Sequence, residues 1–219
     1  VGPSRVASQL NINDKLIMRI GHLFLALAFI VGVPLIIKGG VVLAILGVLS
    51  LFLAYGYTGG PFPLAYLGLG ELFVILFFGL VATIGSFYIY SDDIGLEITL
   101  IGLQLGFLSS VLIAVNNYRD KETDREVNKR TLATKMTSKM YLLLIDIFLF
   151  VPYLIILYFT IFVDLKLFFP LFAVPMAHKI RQELRLIKNP EMCNPLLALG
   201  AKHLLLFGAL QFISQFYRD

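Results

Sequence analysis

Tryptophan is absent from these 219 residues, and cysteine occurs once, at Cys193. A single cysteine excludes an internal disulfide and any cysteine-cluster metal site, and its plainest reading is a small residue in a loop. Charge is also scarce. Asp, Glu, Lys and Arg make up 15% of the chain, against about a quarter in a soluble domain. The hydrophobic share is 58% and the mean hydropathy +0.86. A water-soluble core cannot absorb that excess, so the bilayer must solvate much of the surface. The first fifteen residues are polar and hold no apolar stretch of the kind that marks a secretory signal. No internal repeat or low-complexity run stands out.

What the chain has instead is long apolar runs. A spanning helix needs about 20 mostly apolar residues. Seven candidates are found, at residues 16–37, 41–57, 71–90, 96–116, 140–163, 165–180 and 198–216. The expectation is an all-α, multi-pass transmembrane helix bundle forming one domain over 1–219. Gly39-Gly40 should break the first hairpin. Pro152, Pro170 and Pro175 are expected to kink the fifth and sixth helices, which a bundle tolerates. Tyr55, Tyr57, Tyr88, Tyr90 and Tyr217 fall near helix ends, where interfacial anchors belong.

Alternating sides along the seven spans sorts the charge. Only Lys38, Lys166 and Arg218 of the 18 basic residues fall on one side; the rest share the other with the loops 58–70, 117–139 and 181–197. The positive-inside rule places that rich side in the cytoplasm. Basic residues spread over membrane-flanking loops do not suit nucleic acid. The loop Tyr55–Glu71 has five glycines and two prolines but no basic residue; a loop so apolar should lie in the interface or fold back over the bundle.

Asn116-Asn-Tyr-Arg-Asp-Lys-Glu-Thr-Asp124 closes the fourth span. Asn116, Asp120 and Asp124 are four apart and line one face of a helix. Two carboxylates and an amide suit a hard divalent cation such as Mg²⁺, which takes one or two carboxylates plus substrate phosphates. Asn117 lies within reach of the same site. Spacing alone leaves a second reading open, a helix end whose acids pair with basic neighbours. Arg119, Lys129 and Arg130 are the candidates for diphosphate contact, with Lys121 and Arg125 solvated on the far face. Tyr57 and Tyr66 either line a substrate pocket or anchor the interface. Asp92-Asp93 is read as a solvated turn. Gln104, Ser109 and Ser110 should face the bundle or a cavity, there to bond a neighbouring helix or to touch a substrate. Asp146 faces a cavity or pairs with a neighbour. His22, His178 and His203 match no ligand spacing and read as packed or interfacial.

The segment Asn116–Ala133, of the form N-N-x-R-D-x-x-x-D-x-x-x-x-K-x-T-L-A, resembles the second Asp-rich motif of the UbiA superfamily of intramembrane prenyltransferases. Tyr57-Thr-Gly-Gly-Pro-Phe-Pro-Leu-Ala-Tyr-Leu-Gly-Leu-Gly-Glu71 is similar to a loop of its 1,4-dihydroxy-2-naphthoate polyprenyltransferase branch. Pro170–Ala177 and Asn194-Pro195 are similar too. The resemblance implies a nine-helix fold with two Asp-rich motifs. It also implies Mg²⁺-dependent transfer of a polyprenyl group from polyprenyl diphosphate to dihydroxynaphthoate, giving demethylmenaquinone, in the inner membrane. Val1–Arg5 resembles the family segment just after the first motif. Helices one and two and that motif are therefore expected outside this chain, a fragment with seven of the nine helices. Ala65 stands where some relatives place a basic residue. Rival functions are prenylation of another aromatic acceptor, a non-catalytic membrane partner, and a transporter. A transporter should show paired broken helices in related halves, and no such pairing is seen.

Overall fold

The computed structural model describes residues 13–58, 66–91 and 94–218, the side chains of Asp14, Tyr57 and Thr58 apart. Those residues form an all-α bundle. Helix α1 runs Asp14–Thr58 and is broken at Gly40 (φ 63°, ψ −152°). Only glycine takes that backbone conformation without strain. The break reverses the chain: His22 stacks on Tyr55 at 6.3 Å, so α1 is the expected hairpin. Helix α2 spans Gly70–Tyr88, with a π-helical stretch at Ile75–Val81. Helix α3 is Leu96–Arg119. Two short helices follow, α4 (Lys121–Glu126) and α5 (Leu132–Lys135). Helix α6 is Ser138–Phe162, and a 3-10 stretch Leu165–Ala173 leads into α7, Val174–Arg185. Helix α8 is Cys193–Phe216.

Five stretches of the described residues are long and apolar enough to cross a membrane, the 42-residue Lys15–Gly56 holding both arms of α1. The chain is an integral membrane protein. The sixth expected span is not one apolar rod: its first half is 3-10 and its second half ends in charged residues. Pro175 sits in the first turn of α7 and starts it rather than kinking it.

Helix α3 is the hub, packed against α2, α6 and α8. Lipid tails are as apolar as leucine, so close packing and interhelical hydrogen bonds must hold such a bundle. The α2–α3 seam is glycine on glycine. A Cβ on Gly79 would meet the Gly102 carbonyl at 2.5 Å and Gly106 Cα at 2.6 Å. Elsewhere polar side chains bridge. Gln104 Nε2 donates to the Pro152 carbonyl at 3.1 Å, and Tyr153 Oη meets His203 Nε2 at 2.5 Å. Each such bond contributes about 0.6 kcal/mol. Gln104, Ser110 and His203 thus face the bundle as expected. Cys193 is a correction: it is fully buried in the first turn of α8, not in a loop.

The two ends of the bundle are distinct. At one, Lys135 Nζ donates to the Leu67 carbonyl at 3.0 Å, Arg119 Nη1 to Asn194 Oδ1 at 2.9 Å, and Arg181 pairs with Asp146 at 3.4 Å. At the other, Lys38 lies over the Tyr90 ring at 4.7 Å, Glu97 pairs with Arg218, and Phe169 stacks on Tyr217. These are the two sides that alternation along the sequence assigns. Asp146, left open between two roles, pairs with Arg181 and Arg185. Asp92 and Asp93, Ala65 and most of the glycine-proline loop lie outside the described residues.

Candidate active site

The last turn of α3 carries Asn116, Asn117 and Arg119. The helix then bends at Asp120 (φ −92°, ψ 8°) and resumes as α4. Register survives the bend: Asp120 N donates to the Asn116 carbonyl at 3.0 Å and Asp124 N to that of Asp120 at 2.8 Å. The three oxygen-bearing residues therefore remain successive steps of one helical row. Asn128, at φ 54°, turns the chain back after α4, a left-handed conformation that asparagine tolerates. That turn brings Lys129 Nζ to Asp124, 3.2 and 3.1 Å from its two oxygens.

Arg119 gathers the rest. Its Nε and Nη2 donate to Asp120 Oδ1 and Oδ2 at 2.7 and 2.8 Å, a bidentate pair. Nη2 also donates to Asn116 Oδ1, and Nη1 reaches Asn194 on α8. The Arg119 hydrogen bond holds the Asp120 carboxyl below its ordinary value against the opposing cost of burial. Asp124 is buried and Asn116 half-buried. The ion pairs of the second, plainer reading are thus present, in the same cluster as the candidate ligands.

Two residues, Lys121 and Asn117, depart from expectation. Lys121 is not solvated: it is 8% exposed, and its Nζ donates to the Met136 carbonyl and to Ser138 Oγ, both at 3.2 Å. It ties α4 to the start of α6. Asn117 is buried, and its Nδ2 donates to Glu71 Oε1 at 3.0 Å rather than lying open beside Asn116. Arg130 is exposed; its backbone N–H donates to the Tyr66 carbonyl at 3.2 Å, which brings the Tyr66 loop over the motif. Arg125 is exposed, as expected, and pairs with Glu122. Tyr57's side chain lies outside the described residues. Among them no group of three His, Cys, Asp or Glu side chains is placed to hold a metal.

The sequence profile of the UbiA prenyltransferase family matches residues 6–207. The chain belongs to that family. It is 34% identical over 125 residues to the 1,4-dihydroxy-2-naphthoate octaprenyltransferase of Bacillus subtilis (strain 168), covering 57% of this chain and 40% of that protein. It is 37% identical over 92 residues to the Escherichia coli (strain K12) protein of the same name, covering 42% and 30%. It is 30% identical over 129 residues to UbiA prenyltransferase domain-containing protein 1 of Mus musculus, covering 59% and 38%. The matched part is under half the length of each of these relatives.

Two residues of this UbiA-family site, Glu71 and Asn194, stand in segments that carry the family resemblance but received no role from the sequence. Asn194 lies 75 positions from Arg119, and Glu71 lies 46 from Asn117. Neither shares a helical period with the motif. Glu71 did carry a signal: an acid at the start of an apolar run, where burial without a partner is costly.

Proposed function

We propose that this chain works as an intramembrane prenyltransferase. It would move a polyprenyl group from its diphosphate to an aromatic ring, with 1,4-dihydroxy-2-naphthoate as the first acceptor to test and the motif end facing the cytoplasm. The observation that carries the reading is the cluster of Asn116, Arg119, Asp120, Asp124 and Lys129, carboxylates and cations together at one end of an apolar bundle. The names of the bacterial relatives supply the acceptor.

The donor set suits Mg²⁺. Two carboxylates and an amide oxygen in one helical row leave coordination positions for waters and phosphate oxygens. Asn116, Asp120 and Asp124 would hold the ion, which when bound offsets the charge on the departing diphosphate. Arg119 and Lys129, which pair with these carboxylates in the structure, and the exposed Arg130 would turn to phosphate oxygens, Arg119 with a planar fork that can engage two at once. An apolar groove of about 470 Å³ opens among α1, α2 and α3, lined by Ser50, Leu53, Phe73, Phe77, Phe78 and Ile113 among others. Ile113 is one turn before Asn117 on α3. Its apolar walls suit an isoprenoid tail. In the reaction the allylic C–O bond breaks, diphosphate leaves with the electron pair, and a carbon of the electron-rich ring attacks the allylic cation; the ring then regains aromaticity by releasing a proton or, from a carboxylated acceptor, its carboxyl group as carbon dioxide, the electron pair of the broken bond returning to the ring.

The test uses the full-length protein in membranes with labelled polyprenyl diphosphate, Mg²⁺, and dihydroxynaphthoate, 4-hydroxybenzoate or homogentisate. Transfer to dihydroxynaphthoate is expected, and Asp120→Asn or Asp124→Asn should lower it at least a few hundredfold, about 3–4 kcal/mol at ~1.4 kcal/mol per tenfold. Preference for another ring would keep the reaction class and change the acceptor. Near-normal turnover by both variants would favour the plain helix-end reading.

A further inference from the structure

Glu71 is 2% exposed at the start of α2. Its Oε1 accepts two hydrogen bonds from two other helices, Asn117 Nδ2 of α3 at 3.0 Å and Tyr141 Oη of α6 at 2.6 Å. Its backbone carbonyl accepts a third, from Ser110 Oγ of α3 at 3.1 Å. Its Oε2 is buried without a partner, and among the described residues no basic side chain pairs with it. A buried carboxyl so placed is expensive, and simple helix glue does not require it.

The bonds converge on one turn. Asn117 is held directly. Its neighbour Tyr118 stacks on Tyr141 at 6.3 Å with the rings 8° from parallel, and the Tyr141 hydroxyl is held by the same carboxyl. Two successive residues, about 100° apart around α3, are thus pinned from one point. A helix pinned in two directions cannot rotate about its axis. The pinned turn is the one that carries Asn116 and Arg119 and ends at Asp120.

We propose that Glu71 is a positioning residue of the prenyl-transfer site, fixing the rotation of the last turn of α3 through Asn117 and Tyr141. The inference rests on the prenyltransferase reading above. Side-chain atoms lie ~5–6 Å from a helix axis, so a rotation of about 10° moves a ligating oxygen by about 1 Å. A misplacement of that size costs on the order of 100-fold in rate.

The experiment compares wild type, Glu71→Leu, Glu71→Gln and Tyr141→Phe in the full-length protein. Binding of Mn²⁺ with inorganic diphosphate is followed by electron paramagnetic resonance, alongside kcat, KM for the acceptor, and thermal unfolding. Glu71→Leu should weaken Mn²⁺ binding at least about tenfold and lower kcat about 100-fold, with KM for the acceptor unchanged. Glu71→Gln keeps an acceptor oxygen for both donors and should return to within about threefold of wild type. A purely structural residue would lower the unfolding temperature and leave Mn²⁺ affinity intact in the folded fraction; that result, or equal affinity in wild type and folded Glu71→Leu, overturns the proposal. If Glu71→Leu does not fold, Tyr141→Phe, which retains the ring stack, decides by the same readout. A wild type that binds Mn²⁺ and diphosphate yet prenylates no aromatic acceptor sinks the proposed reaction, while the role of Glu71 is still read from binding.

Discussion

Arg119 donates from Nε and both terminal nitrogens, and its acceptors come from three places: Asn116 one turn back, Asp120 next in sequence, and Asn194 on α8. Lysine offers a point charge on a flexible stem and cannot reproduce that fork. Arg119→Lys should therefore lower transfer at least tenfold although net charge is kept. The pairing also has a pH signature. Arg119 lowers the folded-state pKa of Asp120, so the pair's contribution to stability is fully present above the unfolded carboxyl value, about 3.9. It is lost as pH falls through the lower, folded value. In Arg119→Gln that contribution should disappear. Thermal unfolding of metal-free protein between pH 3 and 7 measures it: wild type and variant should differ most at neutral pH and converge toward the acid end. A constant difference across that range would mean that Arg119 acts by packing alone.

At the scale of the helix, the α2–α3 seam admits a direct test. A Cβ on Gly106 would lie 2.7 Å from the Ile75 carbonyl and 3.0 Å from Ile75 Cα, both backbone atoms. Neither can yield without moving α2, so Gly106→Val should destabilise by roughly 1–3 kcal/mol or more, read as a lower unfolding temperature in detergent. Gly208→Val, whose Cβ would meet nothing within 4 Å, is the control. This seam was hidden in the sequence, since glycine spacing does not say which helix comes close. The hairpin at Gly39-Gly40, the all-helical class and the row Asn116–Asp120–Asp124 were legible, because each depends on local pattern. Lys121 was misplaced for a physical reason: a long side chain can bury its stem and reach a carbonyl fifteen residues on, a contact that only the tertiary fold supplies. The 3-10 start of the sixth span was invisible for a similar reason, since apolar composition reports burial and not hydrogen-bond pattern. The contacts with Glu71 and Asn194 needed the tertiary fold.

For the molecule as a whole, the separation of its two ends is the property to test. The contacts of Lys135 with Leu67, Arg119 with Asn194 and Asp146 with Arg181 gather the basic loops at one end. Lys38 with Tyr90 and Glu97 with Arg218 mark the other. Such contacts show which loops share a side but carry no label for the compartment. The label comes from charge: cytoplasmic loops accumulate Lys and Arg because translocating them is costly. The end with Arg119, Lys129, Arg130, Arg181 and Arg185 should therefore face the cytoplasm. Cys193 is fully buried, so a Cys193→Ser background leaves one introduced thiol to report. Glu126→Cys, at an exposed position of α4, should resist a membrane-impermeant maleimide in intact cells and react after lysis. Tyr90→Cys, at a site 85% exposed, should react without lysis. The reverse pattern would put the motif outside and would sink the proposed orientation while leaving the fold as described. Labelling of both positions from one side would instead contradict the contacts themselves, because α2 alone crosses from the Leu67 end to the Tyr90 end.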